Sequence, residues 1–88
     1  MKFSSYVELH QADGAVSLSV RDFELFDFFD DHFVALGLEA TPSHVPDAAF
    51  PYRLNFAVGV SVAKVWAELE AIGPDEIDRI AQLNHQRR

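Results

Sequence analysis

The sequence predicts one α+β domain with the element order β-β-α-β-α-α, and three observations carry that expectation. An Asp13-Gly14 pair separates two stretches of alternating apolar and polar residues. A stretch beginning at Asp22 repeats apolar residues at helical spacing. A further alternating stretch from Tyr52 precedes two helical stretches divided by Gly73-Pro74. The chain has 88 residues, enough for one core and not for two. A hydrophobic fraction of 49% with 12% aromatics supplies the apolar surface to build that core.

The hairpin, expected over 3–20, has a testable register. Asp-Gly is the signal for a two-residue type I′ turn. Centring the turn on Asp13-Gly14 sets Leu9 opposite Leu18 and Val7 opposite Val20, while Glu8 meets Ser19 and His10 meets Ser17. Apolar residues then share one face and polar residues the other. Asp22 is suited to N-cap a helix over 22–36, in which Leu25, Phe26, Phe29, Phe33 and Leu36 share a face. Gly37 can take the left-handed position that ends it, with Leu38 folding back in a Schellman contact.

Residues 39–51 read as a loop, because Pro42, Pro46 and Pro51 oppose a continuous helix or a central strand. A third strand is expected over 52–58, with Tyr52, Leu54, Phe56 and Val58 on one face. Ser61 caps a helix over 61–72, whose stripe is Val62, Val65, Trp66, Leu69 and Ile72. Pro74 suits the first turn of a last helix over 74–85, with Ile77, Ile80 and Leu83 inward and fraying from His85. The expected architecture is a three-stranded, mainly antiparallel sheet of order 2-1-3. The strand at 52–58 lies beside the first hairpin strand, and all helices pack on one face.

Composition narrows the function classes. There is no cysteine, so neither disulfides nor thiolate metal sites are available, which suits a reducing cytoplasm. The first residues show no apolar signal-peptide core, and no apolar run approaches a membrane span of about 20 residues. Fourteen acids against seven Lys and Arg give a net charge of −7, which opposes direct binding to a phosphate backbone and favours a basic partner surface. Phosphate-cradling, nucleophile-elbow and H-E-x-x-H motifs are absent, and no cofactor or metal is expected. Asp30, Asp31 and His32 are successive helix residues pointing about 100° apart, so they do not converge on one ion.

The densest feature is Asp22–Phe33, DFELFDFFDDHF, with five acids and five phenylalanines. Phe26, Phe29 and Phe33 fit the core stripe. Phe23 and Phe28 lie off it, beside Glu24, Asp27, Asp30 and Asp31. Exposed aromatics among acids suit a protein interface, where rings give contact energy and charges give steering. The plainer alternative is that both rings pack under a neighbouring element. A second candidate surface is the open sheet face, expected to carry Tyr6, Glu8, His10, Ser17, Ser19, Arg53 and Asn55. A His with a nearby Ser and carboxylate has the cast of a triad, but a flat face offers neither pocket nor oxyanion hole. A non-catalytic protein is therefore expected.

The last 40 residues or so, FPYRLNFAVGVSVAKVWAELEAIGPDEIDRIAQLNHQRR, resemble small bacterial toxin-antagonist proteins of the immunity type. The resemblance implies an inhibitor that neutralises a basic partner such as a toxin enzyme, and it carries over no individual binding residue. Two other readings stand beside it. One is a structural or accessory subunit, as a homodimer paired by a sheet edge or face. The other is a phage-type nucleic-acid mimic or host-machinery inhibitor, with helix carboxylates imitating phosphates.

Overall fold

The Asp13-Gly14 turn organises the sheet. Both residues have positive φ, 52° and 78°, as a type I′ turn requires. They join β2 (Val7–Ala12) to β3 (Ala15–Val20) in the expected register, Val7 opposite Val20 and Leu9 opposite Leu18. The computed structural model describes residues 1–83 in full and the backbone of 84–86. Around the hairpin it places β1 (Lys2–Ser4), α1 (Phe23–Ala35), β4 (Ala40–His44), β5 (Tyr52–Phe56), α2 (Val62–Ile72) and α3 (Pro74–Gln86). The α+β class is as expected, but the sheet has five antiparallel strands in the order β1-β2-β3-β5-β4, not three in the order 2-1-3.

Both extra strands sit where the sequence signal is weak. The first hairpin strand does not run unbroken from Phe3. The chain reverses at Ser5-Tyr6, where Ser4 Oγ accepts from the Tyr6 N–H at 3.1 Å, and β1 folds back on β2. Leu9 donates to the Met1 carbonyl at 2.8 Å and accepts from the Met1 ammonium at 2.6 Å. The outer edge of β2 is thereby occupied, and β5 pairs with β3 instead, Leu18 opposite Leu54 and Ser19 opposite Arg53.

The second extra strand, β4, lies inside the expected loop 39–51. The Ala57 N–H donates to the Glu39 carbonyl at 3.0 Å, and the Val45 N–H donates to the Pro51 carbonyl at 2.7 Å. Backbone groups alternate in direction along an antiparallel ladder. Residues 39, 41, 43 and 45 therefore face β5, and Pro42 faces away. Its missing N–H falls on the open side of an edge strand, where no ladder bond is lost.

α1 begins and ends as its sequence dictates. The Asp22 carboxylate accepts from the Leu25 N–H at 3.0 Å. Gly37, with φ 76°, closes a Schellman motif in which Leu38 donates to the Phe33 carbonyl and Gly37 to that of Val34. Leu25, Phe29 and Phe33 are buried and Phe26 is half-buried. Leu36, expected on this stripe, is 43% exposed, because it is the C-cap residue where helical geometry stops. Val58, expected on a strand, is 94% exposed in the turn after β5.

The Ser61 hydroxyl caps α2 by accepting from the Lys64 N–H at 3.1 Å. Among the described residues of α3, Ile77 and Ala81 are buried and Ile80 packs half-buried against the core, while Leu83, expected on the same stripe, is 39% exposed. The expected fraying from His85 falls on side chains outside the described residues. The three helices pack on one side of the sheet. Val7, Leu9, Val16, Leu18, Val20, Leu54 and Phe56 meet Leu25, Phe29, Phe33, Val65, Leu69, Ile77 and Ala81 in one core. Phe33 meets Phe56 edge-on at 5.1 Å.

Candidate protein-binding surfaces

The outer face of α1 carries the charge. Glu24, Asp27 and Asp31 are exposed and Asp30 is half-buried. None of the four is in an ion pair among the described residues. Two cations of the helix layer are engaged with other carboxylates. Lys64 Nζ lies 3.1 Å from Glu68 Oε1, and Arg79 Nε donates to Glu76 Oε2 at 2.9 Å. The Lys64 hydrogen bond holds the Glu68 carboxyl below its ordinary range, with His32 adding to the effect. Arg79 does the same to Glu76 and is itself held above the ordinary arginine value.

The two off-stripe phenylalanines separate. Phe23 is 55% exposed. Its ring stands edge-on to Tyr52 at 5.4 Å and lies 6.3 Å from Phe26. Tyr52 in turn stacks on His44 at 5.2 Å. Phe23 is thus the outer member of an aromatic cluster spanning α1, β5 and β4, held in place on one side and wet on the other. Phe28 is half-buried. It stacks on His32 at 5.8 Å and leans on Phe29 at 5.7 Å, packed in part against the core. His32 Nε2 lies 3.6 Å from Glu68 Oε2, a half-buried approach between α1 and α2 beyond hydrogen-bond distance.

The open sheet face is less open than its sequence suggests. Tyr6, Glu8, His10, Ser17 and Arg53 are half-buried, Asn55 is exposed, and Ser19 is only 1% exposed. The flanking long side chains close over the short serine. The Asn55 amide donates to the Thr41 carbonyl and to Ser43 Oγ, both at 3.0 Å, which fastens β4 to β5. Glu8 Oε1 and His10 Nε2 approach to 3.9 Å, too far for a hydrogen bond. Ser17 stands across the ladder from His10 without a hydrogen bond to it among the described residues. Nothing there orients a base against a nucleophile. Among the described residues no group of three or more His, Asp or Glu gathers as a metal site, and no helix is long and apolar enough to cross a membrane.

One surface was not visible in the sequence. Val34 and Val58, both exposed, converge with Ala40, Phe56 and Ala57 on an open hollow of about 590 Å³ at the C-terminal end of α1. The sequence pointed to it only through Val34, an apolar residue off the α1 stripe, since Val58 was expected on a strand face. No family model matches the chain, and neither the curated proteins nor the solved structures contain a match to it.

Proposed function

We propose that this chain is a non-catalytic binding domain that engages a basic protein surface through the outer face of α1, in the manner of an inhibitor that neutralises its target. The observation that carries this reading is that, among the described residues, none of Glu24, Asp27, Asp30 and Asp31 forms an ion pair, beside the exposed ring of Phe23. Four carboxylates on one helix repel one another, and an intramolecular base within reach would relieve that repulsion. Leaving them unpaired keeps a field available to steer an approaching cation. Phe23 adds a ring braced by Tyr52, so little conformational freedom is lost when a partner covers it. The resemblance of the C-terminal half to immunity-type proteins points to a toxin enzyme as target, and the lack of cysteine suits the cytoplasm as the place of action.

The test is affinity capture from the source cell with the intact chain and with an E24Q/D27N/D31N variant. The wild type should recover a basic protein whose association rate falls steeply with salt. The neutralised variant should bind it at least about tenfold more weakly, mainly through slower association. Capture that ignores both salt and the triple substitution rejects the proposal. The same lack of counter-ions favours a second reading, mimicry of nucleic-acid phosphates. That reading requires the captured partner to release the chain when duplex DNA or RNA is added.

A further inference from the structure

His32 stands between α1 and α2 with its ring held on two sides. Phe28 stacks on it at 5.8 Å, 19° from parallel, and Phe33 meets it edge-on at 5.4 Å. The side chain is 28% exposed, so solvent protons reach the ring. Its Nε2, by contrast, is shut off from solvent and has no hydrogen-bond partner. The atom it faces is Glu68 Oε2, 3.6 Å away on a side chain that is itself half-buried. Lys64 Nζ takes the other carboxylate oxygen, Oε1, at 3.1 Å, which leaves Oε2 toward the imidazole.

A neutral imidazole cannot settle this arrangement. With a lone pair on Nε2, one acceptor faces another. With the single proton on Nε2, the bond is stretched beyond normal length. A second proton removes the conflict, because both ring nitrogens then donate and Nε2–H points at an ionised acceptor, a pairing that draws the two atoms together. The Glu68 carboxyl is ionised throughout the imidazole range, since Lys64 and then His32 hold it below its ordinary value. His32 lies in the last turn of α1, where the free carbonyls favour a cation, and the face of Phe28 does the same. The nearest acids of α1 itself, Asp27, Asp30 and Asp31, point about 100° or more round the helix from it. No carboxylate of α3 or the sheet comes within 4.0 Å of the imidazole among the described residues. Of the cations on neighbouring elements, Lys64 opposes the second proton from its place on Oε1, Arg79 of α3 is held by Glu76, and Arg53 belongs to the far face of the sheet, opposite Ser19.

We propose that His32 and Glu68 form a proton-operated clasp that fastens α1 to α2 when the imidazole carries its second proton. Unfolding separates the pair, so the folded chain holds that proton more firmly. The clasp therefore adds stability on the acid side of the imidazole range, about pH 6.5 for free histidine, and its contribution disappears as pH rises through that range. The Lys64 pair behaves in the opposite way, being lost only as pH falls below the ordinary Glu68 value of 4.5. The clasp acts on α1 whether or not the outer face of that helix binds a partner, so it stands apart from the proposed interface.

A double-mutant cycle of H32Q, E68Q and H32Q/E68Q, followed by Trp66 fluorescence in urea at pH ~5.5 and pH ~8, isolates this pair from the other three histidines. Coupling between the two positions should favour folding roughly two- to fivefold in the equilibrium constant at the lower pH and vanish at the higher one. In the otherwise native chain, NMR titration of the His32 ring should show its midpoint at higher pH than in E68Q, a comparison that leaves His32 unaltered. Equal coupling at the two pH values overturns the proposal, because packing alone then makes the contact. A coupling that opposes folding at pH ~5.5 also overturns it, as does a His32 midpoint that E68Q leaves in place or raises.

Discussion

Replacing Phe23 and Phe29 by alanine, separately, tests whether α1 has a binding face or only a wet one. Phe29 is fully buried, and removing it leaves a cavity in the middle of the core. Such changes cost about 3–5 kcal/mol. A domain of this length has a total stability of roughly 4–13 kcal/mol, so F29A should leave the fold marginal. Phe23 is 55% exposed. Full burial of a Phe side chain stabilises by about 1.5–3 kcal/mol, so the covered part of Phe23 contributes about 1 kcal/mol. Its edge-on contact with Tyr52 adds about 0.5–1 kcal/mol. F23A should therefore cost about 1–2 kcal/mol, clearly below the cost of F29A. Trp66, the single tryptophan, packs edge-on against Phe3 at 5.0 Å and reports unfolding by fluorescence. With a urea slope of about 1 kcal/mol per molar, F23A should lower the midpoint by about 1–2 M. A loss equal to that of F29A would make Phe23 a core residue and remove the aromatic half of the proposed α1 interface.

Two further outcomes follow from the fold. P42V restores an outward N–H on the β4 edge, and sedimentation should then show stronger concentration-dependent self-association than in the wild type; an unchanged association state would show that the missing N–H of Pro42 does not keep this edge from pairing. The carboxyls of Glu68 and Glu76 are held below the ordinary value of 4.5 by Lys64 and Arg79, so their contribution to stability is complete above that value and disappears as pH falls through the lower folded values. Urea midpoints should fall with acidification below about pH 4.5 and fall less in K64M; because both pairs are exposed the effect is small, and a midpoint in K64M that follows the wild type throughout would remove the Lys64 share.

Local chemistry was readable directly from residue order. The Asp13-Gly14 turn, the Asp22 and Ser61 caps, and the Gly37 and Gly73 helix ends each depend on a few adjacent residues whose backbone preferences agree with their neighbours. The hairpin register followed for the same reason, since a two-residue turn leaves one pairing that puts apolar residues together. Strand order did not follow, because it depends on which hairpin edge is already covered. The cover is β1, three residues with no alternation long enough to read. Pro42 hid β4 because its compatibility depends on which way one N–H points, a matter of ladder parity with β5.

The surfaces divide in the same way. Five acids and five phenylalanines over 22–33 marked α1 as unusual, and their spacing separated the core rings from the rest. Only the tertiary structure decided that Phe23 stays wet against Tyr52 while Phe28 is drawn toward His32. It alone showed that none of Glu24, Asp27, Asp30 and Asp31 forms an ion pair among the described residues, and that Ser19 is buried without a hydrogen bond across the ladder from Arg53. Charge and hydropathy belong to residues and can be counted along a chain. Whether a charge is paired or a ring covered belongs to neighbours many positions apart, and only folding brings those together.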